Sequence, residues 1–258
     1  MSNNTLYIAL GYQARKGKGI AAKAIYERFS QEHGGPYDMM RASFADALRD
    51  EVQAAAHDIW NIKTGSERQF DPDWAMKLLC EQVGVPFDYS AVVEPGYPYG
   101  KQRALYQHWG SEYRRAQDPF YWVKKLEQRV QARNPRVVII DDLRFPNEFF
   151  FVKSKLGYTI KVERVGYANP QGVTAHHSET ALDGFKFDFE ISALDGHVED
   201  LERAAIAAFE RIVDMITPPE EFFDLGEPVA RQGYTINEAV KDLAAHYALR
   251  EQGDGAVV

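Results

Sequence analysis

The chain has 258 residues, of which 45% are hydrophobic and 13% aromatic, so it is long enough to bury one substantial core. It contains no apolar run close to the roughly 18 residues that cross a bilayer, and its first residues do not resemble a signal peptide. We therefore expect a cytoplasmic protein. The single cysteine, Cys80, excludes an internal disulfide and a cysteine-based zinc site, and its expected role is a buried small hydrophobe.

The net charge of -8 makes the surface as a whole repel polyanions, which disfavours a broad nucleic-acid interface. Basic residues are nevertheless grouped, at Arg15-Lys16-Gly17-Lys18, Arg114-Arg115 and Lys124-Lys125. Such short groups suit pockets for a small anion better than a long groove. The sequence thus favours a small-molecule partner over nucleic acid or a membrane, and it is compatible with a homodimer.

The first half of the chain opens with an apolar strand at 6–10, a glycine-containing loop and a helix that extends to Phe29. A short strand at 38–42 follows, and then an amphipathic helix from Ala45. A short helix around Leu78 leads to a loop at 85–100 that is rich in proline and glycine. Two further helices are predicted at 103–116 and 121–133.

The second half begins with a short β-branched run at 137–140, which is typical of a central parallel strand buried on both faces. A helix at 147–156, strands at 158–163 and 187–192, and a closing helix at 198–216 follow. This alternation predicts an α/β fold with a mostly parallel central sheet of about five strands. Beyond Thr217 the composition changes, and we interpret residues 217–258 as an appendage.

The loop between the first strand and the first helix has the character of a phosphate-binding turn. Backbone N–H groups at such a turn converge on phosphate oxygens, while a lysine and the helix N-terminus supply positive charge. The candidate nucleotide-binding residues are Gly11, Arg15, Lys16, Gly17, Lys18 and Gly19. The pattern departs from G-x-x-x-x-G-K-[ST], because five residues separate the first two glycines and no hydroxyl follows the lysine. A plain β-α turn with solvated basic residues is the alternative.

Two carboxylates follow the buried run at 137–140. In phosphate-loop folds a carboxylate at the end of such a strand helps to hold Mg²⁺. Asp141 is the first candidate for this role and Asp142 the second. The alternative is a pair of capping or solvated carboxylates.

Several segments together resemble the deoxynucleoside monophosphate kinases of the bacteriophage type. They are Ser43-Phe44-Ala45-Asp46, Gln107-His108-Trp109-Gly110-Ser111-Glu112 with Arg114-Arg115 and Asp118-Pro119, Asp142-Leu143-Arg144-Phe145-Pro146-Asn147-Glu148, and His177-Ser178-Glu179-Thr180. The Arg-Phe-Pro-Asn-Glu element is the most specific of these segments. In the expected order they span the chain from about Leu6 to Ile216.

The resemblance implies a three-layer, nucleoside monophosphate kinase-like P-loop domain at 1–216, with ATP and Mg²⁺ as cofactors and a deoxynucleoside monophosphate as acceptor. It also implies an acceptor-side helical insert at about 44–133 and a lid at about 164–180. The implied catalytic residues are Lys18, Arg144, Asp141, Asp142 and Arg164. The implied acceptor-binding residues are Phe44, Asp46, Gln107, Trp109, Arg114, Arg115, Asn147 and Glu148.

Several of these residues have a structural alternative. Guanidinium groups suit a phosphate clamp, but the arginines could instead form ion pairs with Glu148, Asp118 or Glu112. A tryptophan at helical spacing is more often part of a core than a platform for a base, so Trp109 favours the core. Asn147 and Glu148 suit either nucleotide contact or capping of the helix that they begin.

Two other functions remain open at this level. A kinase of similar type could phosphorylate a hydroxymethylated pyrimidine base within phage DNA, although the acidic net charge opposes binding to a duplex. A nucleotide-binding protein without catalysis would also fit the missing hydroxyl after Lys18.

Overall fold

A computed structural model of the chain describes residues 5–13, 15–65, 68–91, 93, 97–167 and 180–216. The strands are β1 (Leu6–Gly11), β2 (Met39–Ala42), β3 (Val137–Leu143), β4 (Tyr158–Val165) and β5 (Phe189–Leu194). The α-helices are α1 (Lys18–Phe29), α2 (Asp46–Thr64), α3 (Pro72–Val83), α4 (Arg103–Gln107), α5 (Tyr121–Arg133), α6 (Pro146–Ser154) and α7 (Val198–Ile216). A short 3₁₀ helix covers Gln31–His33, and a π-helical segment, His108–Arg115, continues α4.

The chain divides into two compact units. The first consists of Met1–Ser43 with Gln128–Val258, and the second consists of Phe44–Glu127. Within the described ranges, no helix combines the length and the apolar character that a membrane crossing needs.

The first unit contains a five-stranded sheet in the order β2-β3-β1-β4-β5, and every pair of neighbouring strands is parallel. The predicted α/β class and parallel sheet are therefore confirmed. Parallel strands require crossover connections, and described helices lie in the connections from β1 to β2, from β2 to β3 and from β3 to β4. As a consequence, all five strands end at the same edge of the sheet.

The direction of the crossovers changes at β1. In the strand order, β2 lies on one side of β1, beyond β3, whereas β4 and β5 lie on the other side of β1. The connection from β1 to β2 therefore runs in the opposite direction to the connection from β4 to β5. In open parallel sheets, ligands bind beyond the carboxyl ends of the strands at such a switch point. The topology alone thus directs attention to the loop that follows β1.

Side chains that alternate along β1 bury both faces of the sheet. Ile8 and Leu10 pack with α1 and α7 in the main hydrophobic cluster, where Phe209 is also fully buried. Tyr7 points the opposite way and meets Phe151 of α6 edge to face, with 5.6 Å between ring centroids. Because neighbouring residues of a strand face opposite sides, α6 covers the face opposite to α1 and α7. The result is a helix-sheet-helix sandwich.

The second unit is helical and has its own core. Val52 and Ala56 of α2 pack against Met76 and Cys80 of α3 and against Leu105 of α4. Cys80 is fully buried, as predicted, and burial raises the pKa of its thiol to about 11. The thiol is therefore neutral and behaves as an apolar side chain at physiological pH.

Some boundaries differ from the prediction because pairing between strands extends past the apolar residues. β3 continues through Asp141 and Asp142 to Leu143, so these carboxylates lie within the strand and not beyond it. β4 pairs with β5 as far as Val165, so Arg164 belongs to the sheet and not to a lid. The predicted lid residues 168–179 and the appendage 217–258 lie outside the described residues.

Leu10 tests the core of the first unit. We expect Leu10→Ala to lower the free energy of unfolding by about 2 to 5 kcal/mol, because truncation of a fully buried leucine leaves a cavity. Leu194→Ala in the same unit is the matched control, because Leu194 is 57% exposed, and its loss should stay within about 0.5 kcal/mol. Urea unfolding measures both variants, and equal losses would contradict the assignment of Leu10 to the core.

Candidate functional site

The loop after β1 adopts a backbone that few sequences tolerate. Tyr12, Arg15 and Gly17 have positive φ angles of 92°, 59° and 93°. A Cβ atom at Gly17 would lie 2.5 Å from Cδ2 of Leu201, so this position requires glycine for steric reasons as well as for its φ angle. Positive φ is unfavourable for tyrosine, and such strain occurs mainly where a binding site depends on it.

Contacts at both ends of Tyr12 hold this conformation. The backbone N–H of Tyr12 donates to the carbonyl oxygen of Leu143, 3.2 Å away, at the end of β3. Its hydroxyl donates to Oδ1 of Asp183 over 2.9 Å. Burial, followed by the hydrogen bond and the charge of Asp183, raises the pKa of the Tyr12 phenol. Both the backbone and the side chain of Tyr12 are therefore held by residues outside the loop.

Lys18 begins α1 and lies over this loop. Its side chain is buried, and its ammonium group donates to the carbonyl oxygens of Tyr12, at 3.0 Å, and Gln13, at 2.5 Å. These two carbonyl oxygens orient the ammonium toward the loop. The N-terminus of α1 adds positive potential, and its first turn has no acidic residue. The structure thus places the ammonium of Lys18 beside the N-terminus of α1.

The other predicted loop residues surround this lysine. Gly11 ends β1, and a Cβ atom there would lie 2.8 Å from the ring of Phe187, so the position has no room for a side chain. Arg15 is exposed, and the ammonium of Lys16 lies 5.8 Å from the ring centre of Tyr167. Gly19 follows Lys18 in the first turn of α1 and is exposed.

Arg164 lies beside the loop at the end of β4. Its Nη1 donates to the backbone carbonyl of Arg15 over 3.4 Å, and its guanidinium lies 4.4 Å from the ring centre of Tyr167. Its Nε donates to Oδ1 of Asp195 at 2.5 Å. The resemblance implied a place for Arg164 in a lid, whereas the structure places it at the end of β4, where its charge is shared with Asp195, a carboxylate that the sequence did not indicate.

Asp141 and Asp142 occupy an irregularity in β3. The register between β1 and β3 shifts so that one more residue of β3 lies between the pairs Ala9–Ile140 and Gly11–Leu143. Such bulges reorient side chains and are common next to functional sites. Here the bulge allows two consecutive carboxylates to reach residues at the end of β2.

The partner of Asp141 is Arg41, a residue that sequence reasoning missed. Nε and Nη2 of Arg41 donate to Oδ2 of Asp141 over 2.9 and 2.7 Å. The same guanidinium approaches the phosphate loop, since a Cβ atom at Gly19 would lie 3.6 Å from Nη2. Asp142 accepts a hydrogen bond of 2.5 Å from the hydroxyl of Ser43. An arginine inside the otherwise apolar strand β2 was the available signal for Arg41.

The turn after β3 is organised by Glu148. The carboxylate is 1% exposed, and its Oε2 accepts hydrogen bonds from the backbone N–H groups of Arg144, at 2.9 Å, and Phe145, at 3.1 Å. This geometry supports the capping role among the two that the sequence allowed. Asn147 is also buried in the first turn of α6, whereas the side chain of Arg144 is partly exposed.

In the second unit the predicted residues Trp109 and Arg114 share one partner, Glu51. Oε2 of Glu51 accepts from Nε1 of Trp109 at 3.2 Å and from Nε of Arg114 at 2.9 Å, and Oε1 accepts from the hydroxyl of Tyr121. The structural alternative for the arginines was an ion pair with Glu148, Asp118 or Glu112, and Arg114 does form an ion pair, with Glu51 of α2. Trp109 also packs against the core of this unit, which favours its structural role.

The surroundings of Glu51 favour its ionised form. Burial opposes ionisation, but hydrogen bonds from Tyr121, Trp109 and Arg114, together with the charge of Arg114, outweigh it and hold the pKa of this carboxyl below its usual value. Burial and the hydrogen bond to Glu51 raise the pKa of Tyr121 to about 12. The phenol of Tyr121 therefore remains a donor at physiological pH.

The remaining residues that were predicted to bind the acceptor differ in exposure and in their partners. Phe44 is 2% exposed, so the folded protein offers little of its ring to a ligand. Asp46 forms an ion pair with Arg49 in the first turn of α2. Gln107 is exposed at the end of α4, and Arg115 is partly exposed at the end of the π-helical segment.

Glu51 should make stability depend on pH in a defined direction. Because folding lowers the pKa of Glu51 from its ordinary value of 4.5, its contribution is present above that value and is lost as pH falls through the lowered pKa. We expect Glu51→Gln to destabilise the protein at pH 7 and to differ less from wild type below about pH 4.5. Urea unfolding at several pH values measures this difference. Glu112→Gln is the control, since Glu112 is 70% exposed, and an equal pH dependence in that variant would contradict the assignment.

Comparisons with known proteins do not assign a family. No family model matches the chain. A trigger factor of Pelobacter propionicus (strain DSM 2379 / NBRC 103807 / OttBd1) is 34% identical over 61 residues, which is 23% of this chain and 14% of that protein. The chain therefore matches only a small part of this relative.

Proposed function

We propose that the protein transfers the γ-phosphoryl group of ATP to a deoxynucleoside monophosphate. The observation that carries this proposal is the ammonium of Lys18, which donates to two backbone carbonyls of the glycine-containing loop at the carboxyl end of β1. A fixed cation beside a helix N-terminus, at the switch point of a parallel sheet, suits the phosphates of a nucleotide. The sheet and its flanking helices are compatible with a P-loop fold.

The chemistry requires positioned charge more than reactive side chains. A phosphate oxygen of the acceptor forms a bond to the γ-phosphorus while the bond from this phosphorus to the β-γ bridging oxygen breaks, and ADP leaves. Negative charge is spread over the transferred group, so cations stabilise the transition state. Lys18 binds the β- and γ-phosphates in this proposal. Arg41 and Arg164, whose guanidinium groups lie against the loop, bind neighbouring phosphate oxygens.

The residues near the loop suit Mg²⁺ held mainly by phosphate. No group of three metal-binding side chains occurs among the described residues, but Mg²⁺ commonly uses one or two carboxylates with substrate phosphates and water. Asp141 was the first candidate from sequence. Asp141, which pairs with Arg41, and Asp142, which accepts a hydrogen bond from Ser43, both lie near the end of β3 and are the residues that would hold the ion. When bound, Mg²⁺ supplies charge neutralisation at the β- and γ-phosphates.

The identity of the acceptor rests on the resemblance of several segments to phage deoxynucleoside monophosphate kinases and on charge. A free monophosphate needs only a few cationic contacts, and Arg114 offers a guanidinium that is partly exposed. A DNA duplex needs many phosphate contacts, which a chain with net charge -8 disfavours.

ADP release in the presence of ATP and Mg²⁺ tests the proposal. We expect ADP to form with at least one of dAMP, dGMP, dCMP and dTMP and not without an acceptor. A parallel reaction contains duplex DNA with hydroxymethyluracil and radiolabelled ATP. Label in the DNA would establish the alternative kinase reaction, whereas nucleotide binding without turnover in either reaction would leave a binding protein.

Lys18 should be essential to turnover but not to folding. We expect Lys18→Ala to lower kcat/KM by about 100-fold or more, because it removes a preorganised charge from the transferred phosphates. Lys23→Ala in the same helix is the matched control, since the side chain of Lys23 is 62% exposed. Thermal melting checks that both variants fold. Equal kcat/KM in the two variants would place the phosphate site elsewhere.

A further inference from the structure

The Glu51 cluster leaves part of Arg114 available to a ligand. Arg114 uses Nε for Glu51, and no described residue accepts a hydrogen bond from its two terminal nitrogens. Its side chain is 26% exposed, so these nitrogens can be reached from solvent. Because a guanidinium presents its donors in a planar fork, two such nitrogens match two oxygens of a phosphate.

Aromatic rings fix the plane of this guanidinium. The central carbon of Arg114 lies 4.9 Å from the ring centre of Tyr113 and 4.8 Å from that of Tyr121. Tyr121 is itself held by its hydrogen bond to Glu51. The arginine therefore loses little freedom when it binds an anion, which reduces the entropic cost of binding.

The cluster keeps a positive charge although Glu51 is ionised. Lys125 of α5 lies against the same ring as Arg114, with 5.4 Å from its ammonium to the ring centre of Tyr121. Two cations thus stand against one carboxylate, and the charge of Glu51 is further balanced by neutral donors from Trp109 and Tyr121. An anion placed at Arg114 meets a net attraction.

The π-helical segment, His108–Arg115, is what brings Trp109 and Arg114 to one carboxylate. Residues five apart lie about 140° from each other around an α-helix, at about 100° per residue. A π-helix forms its hydrogen bonds between residues i and i+5, so such residues come close to one another one turn apart. π-helical turns are rare and often occur at functional sites.

We propose that Glu51 is the positioning residue of an anion site in the second unit, where the terminal nitrogens of Arg114 bind the phosphate of the monophosphate acceptor. This inference rests on the proposed kinase function for the identity of the ligand. The site itself requires only a phosphate group. Glu51 acts through Arg114 and does not touch the ligand.

Two substitutions test the roles of Arg114 and Glu51 separately. Arg114→Lys keeps the charge but removes the planar fork, and Glu51→Gln keeps the size of the side chain but removes the charge that orients Arg114. Arg103→Lys, in the exposed part of α4, and Glu112→Gln, in the π-helical segment, are the matched controls. Each full-length variant is titrated with dTMP and with inorganic phosphate by isothermal calorimetry. For whichever monophosphate is accepted, the KM values of acceptor and ATP are then compared.

We expect both substitutions to weaken the binding of dTMP and phosphate by about tenfold to 100-fold, as for loss of a charge-assisted hydrogen bond. The KM of the acceptor should rise by a similar factor, while the KM of ATP stays unchanged. The controls should resemble wild type in every measurement.

The outcomes distinguish this inference from the kinase proposal. If the wild type binds phosphate without turnover and both substitutions abolish that binding, the anion site stands and the kinase proposal fails. If turnover occurs and Glu51→Gln leaves the KM of the acceptor unchanged, the kinase proposal stands and the role of Glu51 is overturned. A purely structural role would raise the KM of ATP and of the acceptor alike and would also overturn it. If Glu51→Gln does not fold, Glu51→Asp replaces it, because it keeps the charge but shortens the reach to Arg114, and an unchanged KM of the acceptor in that variant would overturn the role of Glu51.

Discussion

Consecutive parallel strands require the chain to cross back to the starting end of the sheet after each strand, so all strands finish at the opposite, carboxyl end. The candidate phosphate site depends on this arrangement. β1 lies between β3 and β4, so its final residues meet the ends of both neighbours. Tyr12 is hydrogen-bonded to the last residue of β3, and Arg164 of β4 reaches the carbonyl of Arg15. The loop is shaped by its neighbours in the sheet at least as much as by its own glycines.

The common carboxyl end of the strands also brings together charged residues that are far apart in the sequence. Arg41 and Asp141 are 100 positions apart, yet they form an ion pair because β2 and β3 are adjacent. The bulge in β3 then lets Asp142 reach Ser43 as well. Basic and acidic side chains from β2, β3 and β4 thus meet near the loop that follows β1.

In the second unit, one partly buried carboxylate, that of Glu51, holds several side chains together. Glu51 collects three donors, and two of them come from a helix whose π-helical register places them together. A buried carboxylate without partners would be costly, so each donor that it binds is constrained in turn. This reciprocal constraint accounts for the fixed position of Arg114.

The sequence by itself determined the class of the fold, because hydrophobic periodicity and chain punctuation are local signals. It located β1, α1, α5 and α7 closely, and it singled out Lys18, whose ammonium lies over the loop. It also predicted the burial of Cys80. It could not indicate that β4 extends through Arg164, since that depends on pairing with β5, a strand 25 residues further along the chain.

Only the tertiary structure decided which partner each charged residue has. Asp195, Arg41 and Glu51 carry no local pattern that connects them to Arg164, Asp141 and Arg114, and the sequence offered nearer carboxylates for the arginines. Strand order and helix packing select these pairs, and a π-helical turn cannot be recognised from apolar spacing. Local chemistry thus proposed the residue types of the site, while long-range packing fixed their partners and orientation.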